Sequence, residues 1–184
     1  MKRTLITACF TFMVAAALLA GSVRTAHATE VGYGRRFGLG VVLGDPTGIT
    51  GKYWVGPTNS LDFGLGFWGY GFNDRCWNDS TGHTHCGYGG YSNGTVNLDY
   101  LWQSNIIRGA AQLDWHIGAG GRMLWFGGCN GDCFALAARM PVGLDLMFTN
   151  PSFLEVFFEL APAFYVVPGF GFDIEGGIGV RFYF

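Results

Sequence analysis

From about residue 36 onward, apolar and polar side chains alternate one by one through a series of segments. A period of two sends successive side chains to opposite faces, the mark of a β-strand with one apolar face. The last segment shows it most plainly. Phe172, Ile174, Ile178, Val180, Phe182 and Phe184 share one face, and Asp173, Glu175, Gly177, Gly179, Arg181 and Tyr183 share the other. Residues 154–166 repeat the pattern, as do 134–148, where Leu144 and Leu146 oppose Arg139 and Asp145, and 111–125, where Leu113 and Trp115 oppose Asp114 and His116. Four shorter runs precede them at 95–102, 61–69, 49–55 and 36–43. Between the runs lie Gly44-Asp45-Pro46-Thr47, Gly56-Pro57-Thr58-Asn59, a long stretch 71–92, Gln103 to Arg108, Gly127 to Asp132, Thr149-Asn150-Pro151 and Pro168-Gly169. Most are rich in the Gly, Pro, Asn and Asp that turns require. The reading is an all-β chain of eight antiparallel strands in up-and-down order.

Which solvent the apolar faces meet follows from the rest of the chain. Lys2 and Arg3, an apolar stretch Leu5 to Ala20, and Ala26-His27-Ala28 have the order of a signal peptide cleaved after Ala28. That leaves residues 29–184 as one barrel domain. Charged residues make up 13% and aromatics 17%, with 31 glycines and a mean hydropathy of +0.25. Beyond residue 28 there is no apolar run of the roughly 20 residues that a membrane helix needs. A hydrophobic chain without such a helix either buries its apolar faces in a soluble core or closes into a membrane barrel. A soluble barrel would turn its polar face to water. Here that face is about half glycine and alanine, too bare to cover a wetted surface but suited to a crowded lumen. The apolar face carries no charge on any of the eight runs. One charge facing lipid at mid-depth costs roughly 2–4 kcal/mol, so this emptiness points to a transmembrane β-barrel. A net charge of −2 offers no footprint for nucleic acid.

With these runs in view, the chain resembles the small eight-stranded OmpA/OmpX-type outer-membrane barrel proteins over the whole of 29–184. Its ending, Gly179-Val180-Arg181-Phe182-Tyr183-Phe184, resembles the assembly signal of such barrels, with Gly179, Phe182 and Phe184 in the signal positions and Gly177 where a polar residue is usual. Gly44-Asp45-Pro46-Thr47-Gly48 with Lys52-Tyr53-Trp54 also resembles an uncharacterised bacterial outer-membrane barrel family. The resemblance implies residence in the bacterial outer membrane, contact with its lipid and lipopolysaccharide, and insertion by the barrel-assembly machinery.

Candidate chemistry gathers in three places. The lumen-facing positions carry Arg36, Lys52, Arg122, Arg139 and Arg181 with Asp62, Asp99, Asp114, Asp145, Glu155, Glu159, Asp173 and Glu175. An eight-stranded interior is just wide enough to be filled by side chains, so the expected arrangement is a plug of ion pairs; the alternative is a narrow ion path. Outward aromatics fall near the strand ends, Tyr53, Trp102, Phe148 and Phe184 toward one rim and Phe67, Trp125, Phe134 and Phe172 toward the other, as interfacial girdles do. Cys76, Cys86, Cys129 and Cys133 all fall in expected external loops, where disulfides are stable. Four cysteines allow three pairings; Cys76–Cys86 with Cys129–Cys133, each closing its own loop, is favoured. A metal site at His83-Thr84-His85-Cys86 is the other use of these residues, without the tighter spacing usual for zinc.

Two further motifs lose their chemistry in context. Gly64-Leu65-Gly66-Phe67-Trp68-Gly69 matches a dinucleotide fingerprint but continues a strand instead of opening a helix. His116 sits beside Asp114 with no serine placed against it, so a lipid-modifying triad has no support. The expectation is a non-enzymatic barrel without cofactor, serving the envelope structurally or meeting an extracellular partner through loop 71–92. A narrow ion or small-solute channel is the alternative, and a lipid-modifying enzyme the third reading.

Overall fold

The computed structural model describes residues 34–71, 75–78, 84–87, 90–92, 94–109, 111–126, 134–167 and 169–184. The expected signal segment 1–28, His83, Cys129 and Cys133 lie outside the described residues. Among the described residues, twelve strands run in chain order: β1 (Phe37–Asp45), β2 (Thr47–Trp54), β3 (Asn59–Gly71), β4 (Arg75–Asn78), β5 (Thr84–Gly87), β6 (Gly90–Ser92), β7 (Gly94–Ile107), β8 (Ala111–Trp125), β9 (Phe134–Arg139), β10 (Val142–Phe148), β11 (Leu154–Val167) and β12 (Gly171–Tyr183).

The wall closes on itself. β1 pairs with β2 on one side and with β12 on the other, and antiparallel pairing continues through β3, β7, β8, the β9/β10 pair and β11 back to β12. β9 and β10 are two halves of one wall strand, parted at Met140-Pro141. Pro141 has no N–H, yet the ladder carries through the break: Met140 N donates to Pro162 O at 3.0 Å and Gly118 N to Pro141 O at 2.8 Å. The wall therefore has eight staves, the expected number. Closure matters physically, because strands in lipid have no water to satisfy a free edge. The rim bearing Phe37, Trp54 and Tyr183 is the lower rim below, and the rim bearing Asp45, Trp125 and Gly171 the upper one.

Two boundaries differ from the sequence expectation. β7 runs on through Gln103, Ser104 and Asn105 to Ile107, so the connection expected at 103–108 shrinks to residues 108–110. Polar residues mark turns as well as lumen faces, and here Gln103 keeps the alternation and points inward, buried. Within the stretch 71–92, β4 and β5 form a hairpin and β6 pairs with the top of β3. These short strands carry no alternation to betray them.

The apolar faces look outward. Leu98, Leu144, Phe158 and Ile178 are exposed in mid-wall, and the girdle residues Tyr53, Trp102 and Phe184 below and Phe67, Trp125, Phe134 and Phe172 above are exposed near the rims. Phe148 is half-buried. Strict alternation along β1 would point Asp45 to the same side as Leu43. Gly44, at φ 141°, breaks the alternation in a region that residues with a Cβ rarely adopt. The turn is tied by Thr47 Oγ1, which donates to Gly44 O at 2.8 Å and accepts from Gly44 N at 3.1 Å. Asp45 consequently swings into the lumen.

Candidate functional site

The lumen is a stack of three layers. At the lower rim, Trp54, Met147 and Tyr183 pack as a buried apolar layer. At the upper rim, Leu124, Phe126, Ala135, Ala137, Ala163 and Tyr165 form another. Charged side chains fill the space between them. Such charges are costly to bury unless each is paired and hydrogen-bonded.

The lower half of the charged layer is built around Lys52 and Arg181. Lys52 Nζ, fully buried, lies 3.0 Å from Asp145 Oδ2 and 3.5 Å from Glu155 Oε2, and 5.0 Å from the centre of the Trp54 ring. Arg181 Nη1 donates to Glu155 Oε1 at 2.8 Å, while its Nη2 meets Asp62 Oδ2 and its Nε donates to Thr50 Oγ1 at 3.1 Å. Its guanidinium stacks 3.7 Å from the Phe157 ring centre. Tyr183 OH donates to Glu155 Oε2 at 2.6 Å. Gln103 Nε2 donates to Asp145 Oδ2 at 2.5 Å, and Gln103 Oε1 accepts from Ser60 Oγ at 2.9 Å.

Arg139 and Arg122 organise the upper half. Arg139 Nη2 donates to Glu159 Oε1 at 2.6 Å, with Asp99 Oδ2 at 3.4 Å from Nη1 and Glu175 Oε2 at 3.6 Å from Nε. Arg122 Nη1 pairs with Glu175 Oε1, its Nη2 donates to Asp45 Oδ1 at 3.0 Å, and its Nε donates to Thr95 Oγ1 at 2.9 Å. His116 joins the two halves: Nδ1 lies 2.8 Å from Asp145 Oδ2 and Nε2 lies 3.3 Å from Glu159 Oε2.

Strand register explains why these bonds cross the barrel. Asp62 and Asp99 are directly opposed on β3 and β7, as are Asp145 and Asp114 on β10 and β8. Like charges directly opposite destabilise a ladder, so each needs a donor placed between it and its neighbour. Arg181 reaches Asp62 from β12, and Arg139 reaches Asp99 from β9. Asp114 is held by amides, Asn105 Nδ2 at 2.7 Å and Gln112 Nε2 at 2.8 Å. Glycines make room for this crowd. A Cβ on Gly143 would fall 2.6 Å from the His116 ring, and one on Gly120 would collide with Asp99 Oδ1. The space left beside Arg139, Asp45 and Arg181 is about 30 Å³, room for a water molecule or two.

Lys52, Asp62, Asp99, Arg122, Arg139, Asp145, Glu155, Glu159, Glu175 and Arg181 thus meet in one network, and Asp114 borders it. Two expected members stand apart. Arg36 precedes the first strand residue and is exposed at the lower rim, and its carbonyl accepts from Trp54 N at 2.9 Å. Asp173 sits half-buried near the upper rim, its Oδ1 accepting the Ile174 N–H at 2.8 Å. Conversely, Asp45, Thr50, Thr95, Gln103 and Phe157 belong to the network without being among the expected lumen charges, and His116, expected on the lumen face, joins it as an ion-pair partner. At Asp45 the Gly-Asp-Pro run marks the turn but not the inward swing that brings its carboxylate to Arg122.

Comparison with protein-family models finds no match for the sequence, and comparison with curated proteins finds none. Among solved structures, the fold is similar to the N-terminal β-barrel domain of Pseudomonas aeruginosa OprF, with a TM-score of 0.55 and 15% sequence identity, over 82% of this chain and 98% of that one. The fold is that of a small outer-membrane β-barrel. Its all-strand, eight-stave antiparallel ring has the OmpA/OmpX-type architecture expected from the alternating pattern.

Proposed function

We propose that this chain is a non-enzymatic barrel of the bacterial outer membrane, closed to ions, whose staves form a rigid mount for its external loops. The observation that carries this reading is the filled lumen: among the described residues, cross-barrel ion pairs occupy the space between apolar layers at the two rims. His116 supports a structural role as well, since both ring nitrogens face carboxylates and the side chain is buried. On this reading residues 1–28 are removed on export. The barrel meets lipid and lipopolysaccharide, and Gly179, Phe182 and Phe184 address it to the assembly machinery.

The external loops then carry the interaction. Cys76 and Cys86 are directly opposed on β4 and β5, which supports a disulfide pinning loop 71–92, with Cys129 and Cys133 as the second pair. A loop held this way is preorganised for an extracellular partner. The test is conductance of the refolded barrel in a planar lipid bilayer, where silence is the expected result. Discrete, reproducible currents would reverse the reading and favour a narrow channel. The specific support for that alternative is the excess of carboxylates over cations in the described lumen, which would make such a path cation-selective.

A further inference from the structure

Near the lower rim the outer wall carries an open groove of about 820 Å³ along β1, within the roughly 300–1,000 Å³ of ligand pockets. Leu39, Val41 and Ile49 line it with hydrocarbon, and Phe182 and Phe184 border it. Phe153 stacks on Phe182 with ring centres 6.1 Å apart and extends that border toward the rim. Arg35 lies at the rim end, exposed, its guanidinium 5.9 Å from the centre of the Phe153 ring. Arg36, also exposed, adjoins it. The groove is therefore polarised along its length, apolar along the wall and cationic at the mouth.

We propose that this groove binds one glycerophospholipid with an anionic headgroup, taken from the leaflet that surrounds the lower rim. One acyl chain lies along Leu39 and Val41, and the phosphate pairs with Arg35. The inference rests on the outer-membrane reading proposed above, in which loop 71–92 is external and the opposite, lower rim is therefore periplasmic. An amphiphile fits better than a second protein surface, because the positive charge of Arg35 and the adjoining Arg36 is confined to the mouth at the rim and the rest of the lining offers dispersion contacts alone. An arginine fork also suits phosphate oxygens, and the Phe153 ring beside it, 5.9 Å from the guanidinium, adds a weak cation–π contact.

The experiment is native mass spectrometry of the whole barrel, delipidated in mild detergent and then titrated with phosphatidylglycerol or phosphatidylcholine. The folded state is checked in each sample by heat-modifiable gel migration. The expected result is a one-lipid adduct that favours phosphatidylglycerol. Arg35→Gln should weaken that adduct about tenfold, the scale of one charge-assisted contact, and leave phosphatidylcholine unchanged. Val41→Trp, or Leu39→Trp should the first fail to fold, should abolish the adduct by filling the groove. Undiminished lipid binding in a folded tryptophan variant, no headgroup preference in the wild type, or a lipid-free dimer that Val41→Trp splits would each overturn the proposal. A failure of the membrane reading itself would look different: no variant, nor the wild type, would show a heat-modifiable folded band.

Discussion

Arg181 is the place where the buried network can be put to a quantitative test. It stands on β12 between two carboxylates, Asp62 on β3 and Glu155 on β11, and the three side chains are at most 5% exposed. Arg181→Met keeps much of the volume and the packing on Phe157 while deleting the charge. Removing one member of a buried pair costs about 3–5 kcal/mol, chiefly because an uncompensated charge is left behind. Glu155 keeps Lys52 at 3.5 Å and the Tyr183 hydroxyl at 2.6 Å, so it is not orphaned. Asp62 retains, among the described residues, the Thr50 Oγ1 contact at 3.5 Å. One orphan instead of two places the expected loss at the lower end, about 3 kcal/mol. Adding Asp62→Asn should restore most of it, with a coupling of about 2 kcal/mol between the two sites. The assay is urea unfolding of the barrel in lipid vesicles, followed by tryptophan fluorescence and by the folded gel band. An Arg181→Met variant within about 0.5 kcal/mol of wild type, the range of an ordinary surface change, would refute the claim that these ion pairs are buried and mutually dependent.

Three other changes probe the wall, the crowded lumen and the loop. Leu98→Arg, at an exposed outward position of β7, should cost roughly 2–4 kcal/mol in vesicles, whereas a lumen-facing Leu98 would respond as a core substitution insensitive to the lipid. Gly143→Val should prevent folding or lower stability sharply, since its Cβ alone would meet the His116 ring; Gly109→Ala, with open space around it, should be neutral in the same urea titration. Cys76→Ser should abolish the change in non-reducing gel mobility expected of loop 71–92 on reduction, and free thiol at both Cys76 and Cys86 in the exported protein, measured by maleimide labelling, would dismiss the disulfide.

Much of this architecture was legible along the chain because its cause is local. Alternation assigns a face to every residue of a strand without reference to any other strand. Leu98 and Asp99, or Leu144 and Asp145, could therefore be sorted into lipid and lumen from the sequence alone, and so could the number of staves. The same locality explains the failures. Gln103 to Asn105 looked like a turn because polar residues mark turns as well as lumen faces, and Asp45 had the parity of the lipid face until Gly44 turned it inward.

Which charges meet which was never a local property. Lys52 and Asp145 are 93 residues apart, and Arg181 and Asp62 are 119 apart. Their meeting depends on how the strands are staggered when β12 closes against β1, a condition set by the whole ring. The placement of apolar layers at both rims likewise follows from that stagger, which brings Trp54, Met147 and Tyr183 together from three separate strands. Sequence alone determined that the chain would form a barrel with charges inside; only tertiary closure decided that those charges would lock across the lumen, because pairing in three dimensions depends on register and alternation does not.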